Sequence, residues 1–133
     1  MQRISTICPF CGCGCGMLLM VESGRVIGVE PSPGHPVNQG MLCAKGWGAY
    51  GFVHSPDRLT QPLIRRGGQL QACSWDLALD FISTRLAGIS SRYGPGALGF
   101  LSSAKVTNEE NYLFMKMARA VFKTNNIDHC ARL

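Results

Sequence analysis

The stretch that decides the fold is residues 8–16, which read Cys-Pro-Phe-Cys-Gly-Cys-Gly-Cys-Gly and place four cysteines in one short loop. A further cysteine, Cys43, stands within Gly-Met-Leu-Cys-Ala-Lys-Gly at residues 40–46. Thiolates at such spacing are typical ligands of iron-sulfur clusters and of structural zinc. We therefore predict one metal centre whose four thiolate ligands come from the loop and from the distant cysteine: Cys8, Cys11, Cys15 and Cys43.

Ligand type alone leaves zinc and an iron-sulfur cluster open, and the spacing favours the cluster. Zinc sites usually pair two Cys-x2-Cys knuckles, whereas Cys43 has no cysteine or histidine two to five positions away. A two-cluster ferredoxin run would need a cysteine at position 14, which is a glycine here. We predict a single 4Fe-4S cluster, with structural zinc as the alternative.

Glycines alternate with the cysteines of the loop at positions 12, 14 and 16. This pattern is expected where a backbone bends closely around an inorganic core and donates amides to its sulfurs. Cys13 is interpreted as a non-ligand, because its use would crowd ligands that stand only one residue apart. Cys73 and Cys130 are interpreted as small buried residues.

The composition of the chain narrows the possible classes of protein. A hydrophobic share of 46% with 16% charged residues is globular rather than disordered. No apolar run approaches the roughly 18 residues of a membrane span, and the first residues lack a secretory signal, so we expect a cytoplasmic protein. The net charge of +5 comes without a basic run interleaved with aromatics, so we expect no nucleic-acid partner.

The residues between the loop and position 72 predict mostly β structure. Apolar runs at 17–21 and 25–29 flank Glu-Ser-Gly, which predicts a β-hairpin. The turn-rich segment 31–36 then returns the chain to Cys43. A second small hairpin is expected in residues 59–72, around a Gly-Gly pair.

From residue 74 the spacing of apolar residues becomes helical. Ser74 is a plausible N-cap for a helix that ends at Gly-Pro-Gly, residues 94–96. A buried strand is expected at 97–101, and Thr107-x-x-Glu110 is a capping box that opens a second helix. Residues 126–133 predict a short strand with no partner.

The fold class expected from these elements is α+β. Residues 1–57 form a small, mostly-β lobe that binds the 4Fe-4S cluster. Residues 58–133 form the beginning of an α/β domain, and its incomplete sheet should leave apolar faces uncovered.

Two further stretches, in the second half of the chain, are informative about function. Asn-Glu-Glu-Asn-Tyr stands at residues 108–112, and Asn-Asn-Ile-Asp-His-Cys-Ala-Arg at residues 125–132. Together with the cysteine pattern, they resemble the catalytic subunit of molybdenum- or tungsten-dependent formate dehydrogenases over essentially the whole chain. The cysteine spacing marks the wider molybdopterin oxidoreductase superfamily, and the two later stretches indicate the formate branch.

This resemblance implies cofactors, a reaction and roles for individual residues. The cluster would lie near a bis(molybdopterin guanine dinucleotide) carrying Mo or W in the full-length enzyme, which interconverts formate and CO2 and passes electrons to iron-sulfur subunits. Lys45 matches a family lysine between cluster and pterin that is thought to aid electron transfer, although the residue alone reads as a solvated lysine. The candidate pterin contacts lie in a loop and the following helical turn: Ala104, Lys105, Asn108 and Asn111.

In relatives, the segment matching Cys-Ala-Arg-Leu at residues 130–133 is followed by the selenocysteine or cysteine that ligates the metal. We therefore expect an N-terminal part of such an enzyme, ended at a UGA selenocysteine codon and inactive toward formate by itself. The alternative is a free-standing small 4Fe-4S electron-transfer protein.

Overall fold

The computed structural model describes residues 1–130, without the side chain of Cys130. The last part of the informative stretch, Ala131-Arg132, and the terminal Leu133 lie outside the described residues. Two compact units divide the chain. The first unit contains Met1–Arg58, Ser102–Phe114 and the chain from His129, and the second unit contains Leu59–Leu101 and Met115–Asp128.

The chain is a mixture of helices and strands, as predicted. Its strands are β1 (Gln2–Ile7), β2 (Gly16–Glu22), β3 (Arg25–Pro31), β4 (Leu63–Arg66), β5 (Gln69–Ala72), β6 (Phe100–Ser103) and β7 (Ile127–Cys130). Its helices are α1 (Ala44–Trp47), α2 (Trp75–Tyr93) and α3 (Asn108–Lys116), with a 3-10 turn at Pro95–Ala97 and a π-helical turn at Met117–Val121. None of the helices in the described part of the chain has the length and apolarity that crossing a bilayer requires.

The first unit is built on a three-stranded antiparallel sheet of order β1-β2-β3. The predicted hairpin is confirmed, since β2 and β3 pair through Glu22↔Arg25 and are joined by Ser23 and Gly24 with positive φ of 49° and 75°. These angles are those of a two-residue type I′ turn, whose twist suits the strands. Strand β1, which the sequence analysis did not assign, pairs with β2 along its whole length.

The core of the first unit lies directly beside the cysteine loop. Four buried residues form it: Cys8, Met17, Val29 and Ala49. Phe10, Cys15, Leu19 and Leu42 pack against this core. Two of the predicted metal ligands, Cys8 and Cys15, are therefore held by the hydrophobic packing of the sheet.

The second unit contains the predicted second hairpin and the first long helix. Strands β4 and β5 pair antiparallel around Gly67-Gly68, as expected. Ser74 caps α2 as predicted, because its Oγ accepts from the Leu77 N–H at 3.2 Å. The helix ends at Gly94, whose φ is 82°.

Two predictions about the strands of this part were wrong. The buried strand expected at 97–101 begins later, at Phe100, because Pro95–Ala97 first forms a 3-10 turn. The strand expected without a partner, β7, is hydrogen-bonded to β6 in a two-stranded sheet. Pairing between segments that are distant in sequence supplied the partner that a local pattern could not reveal.

The apolar side of α2 is largely exposed. Trp75, Leu79 and Ile82 are 66%, 55% and 50% exposed. Ala78 is the residue of this helix that is buried. The stability of the second unit therefore depends strongly on local features, such as the caps of α2.

Replacing Ser74 with alanine tests this dependence. Loss of the N-cap acceptor leaves the Leu77 N–H without its partner and should destabilise α2 by about 1 kcal/mol. Urea unfolding of the 133-residue chain, followed by circular dichroism, measures the effect. Ser91→Ala, an exposed serine inside the same helix, is the matched control and should cause no loss of stability. Equal destabilisation by both changes would contradict the capping role.

Candidate metal centre

The cysteine loop, residues 8–15, is closed at its base by the pairing of β1 with β2. Ile7 pairs with Gly16 in the sheet, and the N–H of Cys8 donates to the carbonyl of Cys15 at 2.8 Å. Gly14, inside the loop, has a φ of +72°, a conformation that favours glycine. The strands thus hold the first and last loop cysteines at fixed positions while the residues between them turn.

The loop brings its thiols close enough to influence one another. The pKa of Cys15 is raised to about 11 by burial first, then by the hydrogen bond with the Cys13 thiol and by the charges of Cys13, Cys11 and Cys8. The Sγ of Cys15 donates to the Sγ of Cys13 at 3.6 Å. Several thiolates in one small volume repel each other, and bound metal cations offset this repulsion. The donor chemistry therefore fits an iron-sulfur cluster.

The fourth predicted ligand, Cys43, occupies a different electrostatic environment. It is the exposed N-cap residue of α1. The backbone N–H groups of Gly46 and Lys45, followed by the positive charge of Lys45, lower the pKa of the Cys43 thiol. This position favours the thiolate form, which is the form that binds metals.

Asn38 links the cysteine loop to the segment that carries Cys43. Its Oδ1 accepts from the N–H of Gly16 at 2.8 Å, and its Nδ2 donates to the carbonyls of Gly16 at 3.1 Å and of Met41 at 2.6 Å. His35 contacts the same glycine, because its Nδ1 accepts from the N–H of Gly16 at 3.3 Å. A Cβ at position 16 would overlap the His35 ring, so only glycine fits there.

Lys45 and the candidate pterin contacts lie in the first unit. Lys45 is exposed in α1 beside Cys43. Ala104 and Lys105 lie in the turn after β6, where Ala104 is half-buried and Lys105 is exposed. Asn108 and Asn111 lie in α3, which begins with the predicted capping box, since Thr107 and Glu110 exchange hydrogen bonds.

The side chains of Asn108 and Asn111 make hydrogen bonds within the first unit. Asn108 Nδ2 donates to the carbonyl of Gly12 in the cysteine loop at 2.9 Å. Asn111 Nδ2 donates to the carbonyl of Ser103 at 3.2 Å, and its Oδ1 accepts from Ser102 Oγ. Of the four candidate pterin contacts, Lys105 is the one with an exposed charge.

Two residues at the site, Asn38 and His35, were missed by the sequence analysis. Both belong to the turn-rich segment that was expected only to return the chain to Cys43. Their partner, Gly16, lies about twenty positions earlier, so no local periodicity connects them. The signal appears only in the folded structure, where Asn38 is buried and its amide therefore needs hydrogen-bond partners.

The thiols of the four predicted ligands form two groups in the described part of the chain. Among the described residues, no group of three or more His, Cys, Asp or Glu side chains converges on a position for a single metal ion. The thiols are grouped instead as the loop set around Cys15 and the separate Cys43. Asn38 is the side chain that joins the two parts.

Comparison with protein families covers nearly the whole chain. Residues 1–55 match the molybdopterin oxidoreductase Fe4S4 domain, and residues 58–133 match the molybdopterin oxidoreductase domain. Acetylene hydratase from Pelobacter acetylenicus is similar in structure, with a TM-score of 0.74 and 23% identity, over 96% of this chain and 18% of that one. This likeness shows the fold alone.

Similar curated proteins carry one activity in their names. The chain is 54% identical over 130 residues to the F420-dependent formate dehydrogenase 1 subunit alpha of Methanococcus maripaludis. It is 51% identical to the corresponding subunit of Methanocaldococcus jannaschii and 44% identical to a putative formate dehydrogenase of Bacillus subtilis. Each match covers 98% of this chain but only 19%, 19% and 13% of the relative, so the chain spans at most a fifth of their length.

The opposite pKa shifts of Cys43 and Cys15 predict different reactivities in the cluster-free chain. The thiolate is the nucleophile, so Cys43 should react with iodoacetamide faster than Cys15 near neutral pH. The rate at Cys15 should rise only as the pH approaches its pKa of about 11. Mass spectrometry of peptides after timed alkylation measures both rates.

Lys45→Gln serves as the control for the Cys43 environment. It removes the positive charge but keeps the backbone N–H groups, which contribute more. The advantage of Cys43 should therefore shrink without disappearing. Faster alkylation of Cys15 than of Cys43 near neutral pH would contradict the electrostatic description of the site.

Proposed function

The chain belongs to the molybdopterin oxidoreductase family, and on that premise we propose that it is the N-terminal part of the catalytic subunit of a formate dehydrogenase. The observation that carries the proposal is the identity of 54% over 130 residues to an F420-dependent formate dehydrogenase alpha subunit. Relatives from methanogens and from Bacillus subtilis share the name formate dehydrogenase, although only the former are called F420-dependent. The proposal therefore extends to formate and not to the electron acceptor.

We propose that the 4Fe-4S cluster of this family is held here by Cys8, Cys11, Cys15 and Cys43. The closed cysteine loop and its crowded thiols support the first three ligands. The lowered pKa of Cys43 and its link through Asn38 to the loop support the fourth. Cys13, although it contacts Cys15, is proposed as a non-ligand.

When bound, a 4Fe-4S cluster supplies an electron carrier whose potential depends on hydrogen bonds to its sulfurs and on solvent exposure. The residues of this chain set both conditions. The N–H groups of Gly46 and Lys45 interact with the Cys43 thiol. Cys8 is buried and Cys43 is exposed, so the proposed ligands differ in their exposure to solvent. We propose that Lys45 lies on the electron path from pterin to cluster.

For the pterin we retain the four candidate contacts as a proposal: Ala104, Lys105, Asn108 and Asn111. Lys105 offers an exposed positive charge, which suits the phosphate groups of a dinucleotide. The side chains of Asn108 and Asn111 are engaged with Gly12, Ser102 and Ser103. We therefore propose that Lys105 makes the phosphate contact, and that Asn108 and Asn111 also hold the segment in shape.

The whole enzyme, as proposed, interconverts formate and CO2 in the cytoplasm and passes electrons to iron-sulfur subunits. Mo or W in bis(molybdopterin guanine dinucleotide) and a selenocysteine ligand stay predictions. A free-standing small electron-transfer protein is not favoured, because residues 58–133 match the molybdopterin oxidoreductase domain and a cluster carrier has no need of that domain.

Serine substitutions test the ligand set. The 133-residue chain, supplied with ferrous iron and sulfide under anaerobic conditions, should become brown and bind four irons. Single changes to serine at the four proposed ligands should each remove most of the bound iron, because an incomplete thiolate set no longer holds the cluster. Cys13→Ser is the matched control in the same loop and should keep the iron content of the unaltered chain.

Iron and sulfide analysis of each purified variant distinguishes the alternatives. Loss of iron in the Cys13→Ser chain, with retention in one of the other four, would overturn the proposed ligand set. A colourless chain that binds zinc and no iron would favour the structural-zinc alternative.

A chimera tests the proposed activity. The 130 residues of this chain that align at 54% identity with the Methanococcus maripaludis alpha subunit replace their counterparts in that subunit. The chimera should retain formate-dependent dye reduction. A Cys43→Ser chimera should lose it, because electrons from the pterin would have no cluster to enter. A chimera that carries cluster and pterin but does not oxidise formate would contradict the proposal.

A further inference from the structure

Asn38 lies between the two parts of the proposed ligand set and is bonded to both. Gly16, which directly follows Cys15, gives its N–H to Asn38 Oδ1 at 2.8 Å and accepts from Nδ2 at 3.1 Å. Met41, two residues before Cys43, accepts from the same Nδ2 at 2.6 Å. One side chain thus joins the backbone on both sides of the site.

The oxygen and the amino group of the Asn38 amide both take part in these contacts. A primary amide offers an acceptor oxygen and two N–H donors, and each of them has a backbone partner here. The residue is only 8% exposed. Burying an amide without partners is costly, so the three bonds explain why an asparagine lies in this interior position.

The segment around Asn38 is folded so that the side chain reaches Gly16. The N–H of Gln39 donates to the carbonyl of His35 at 2.8 Å, and the N–H of Met41 donates to the carbonyl of Asn38 at 2.8 Å. The His35 ring packs against Gly16 from the same segment. These local turns present one polar side chain toward the base of the cysteine loop.

The spacing of the ligands explains what such a link achieves. Cys43 follows Cys15 after 27 intervening residues, so a flexible connection would leave it far from the loop for much of the time. Ligands already held in place lose less conformational entropy when the metal binds. A fixed connection between Gly16 and Met41 therefore favours binding by all four thiolates over binding by the three of the loop.

We propose that Asn38 is a positioning residue that fixes Cys43 relative to the cysteine loop before the cluster binds. This inference rests on the proposed function of the four cysteines as cluster ligands. All three hydrogen bonds of the Asn38 amide are made with backbone atoms, so Asn38 is not proposed as a ligand. It acts through the backbone of Gly16 and Met41, and so through the positions of Cys15 and Cys43.

Asn38→Leu tests the inference because leucine has nearly the same shape and no charge but removes all three hydrogen bonds. The chain is loaded with ferrous iron and sulfide, and loss of visible absorbance is followed after addition of an iron chelator. The variant should lose its cluster about tenfold faster, as expected when buried partners are left unsatisfied. Its midpoint potential and the electron paramagnetic resonance spectrum of its reduced cluster should also shift. Asn125→Leu, at an exposed asparagine of the second unit, is the matched control and should behave as the unaltered chain.

The outcomes separate this inference from the function on which it rests. Failure of the unaltered chain to bind iron would overturn the proposed function and the positioning role together. A loaded unaltered chain and an Asn38→Leu chain with the same bleaching rate and potential would overturn only the role of Asn38. A change of equal size in Asn125→Leu would also overturn it.

Amide hydrogen exchange gives a second test that needs no variant. In the folded, cluster-free chain, the Gly16 N–H donates to Asn38 Oδ1 at 2.8 Å, with His35 Nδ1 as a longer second acceptor at 3.3 Å, and should exchange at least tenfold more slowly than the N–H of Gly14 in the cysteine loop. Nuclear magnetic resonance resolves both amides. Equal exchange rates would show that the connection is absent before the cluster binds, which overturns the proposal even if Asn38→Leu fails to fold.

Discussion

The first unit depends on the backbone pairing that closes the cysteine loop. Ile7 pairs with Gly16 in the sheet, and Cys8 donates to the carbonyl of Cys15 just beyond it. A loop of this kind cannot form a hydrophobic core from its own glycines and cysteines. The sheet supplies that core, because Cys8 is packed with Met17 and Val29. The position of the thiols is therefore a consequence of strand pairing.

The same closure of the cysteine loop brings several thiols close together. Burial, followed by the hydrogen bond with Cys13 and the charges of the other loop cysteines, raises the pKa of Cys15 to about 11. Cys43 has the opposite environment, since the N–H groups of Gly46 and Lys45 lower its pKa. If these cysteines hold the cluster as proposed, its iron cations would offset the repulsion among the loop thiolates and would also bind the thiolate of Cys43.

Asparagine side chains connect the loop to segments that follow it in sequence. Asn38 bonds Gly16 and Met41, and Asn108 bonds the carbonyl of Gly12. Asn108, which is expected to contact the pterin, is therefore hydrogen-bonded to the cysteine loop. Glycine is required at both contacted positions, since a Cβ at position 12 would overlap the Asn108 side chain and a Cβ at position 16 would overlap the His35 ring. The alternation of glycine and cysteine therefore serves packing as well as chain flexibility.

The sequence by itself determined the features that local chemistry specifies: the two hairpins, the Ser74 cap, the capping box at Thr107 and the kind of ligand that the cysteines offer. Each of these depends on residues a few positions apart. Only the tertiary structure decided the pairing of β1 with β2, the partner of β7, and the contacts of Asn38 and Asn108. These join residues up to 96 positions apart, and a backbone hydrogen bond leaves no signature in the side chains of its distant partner.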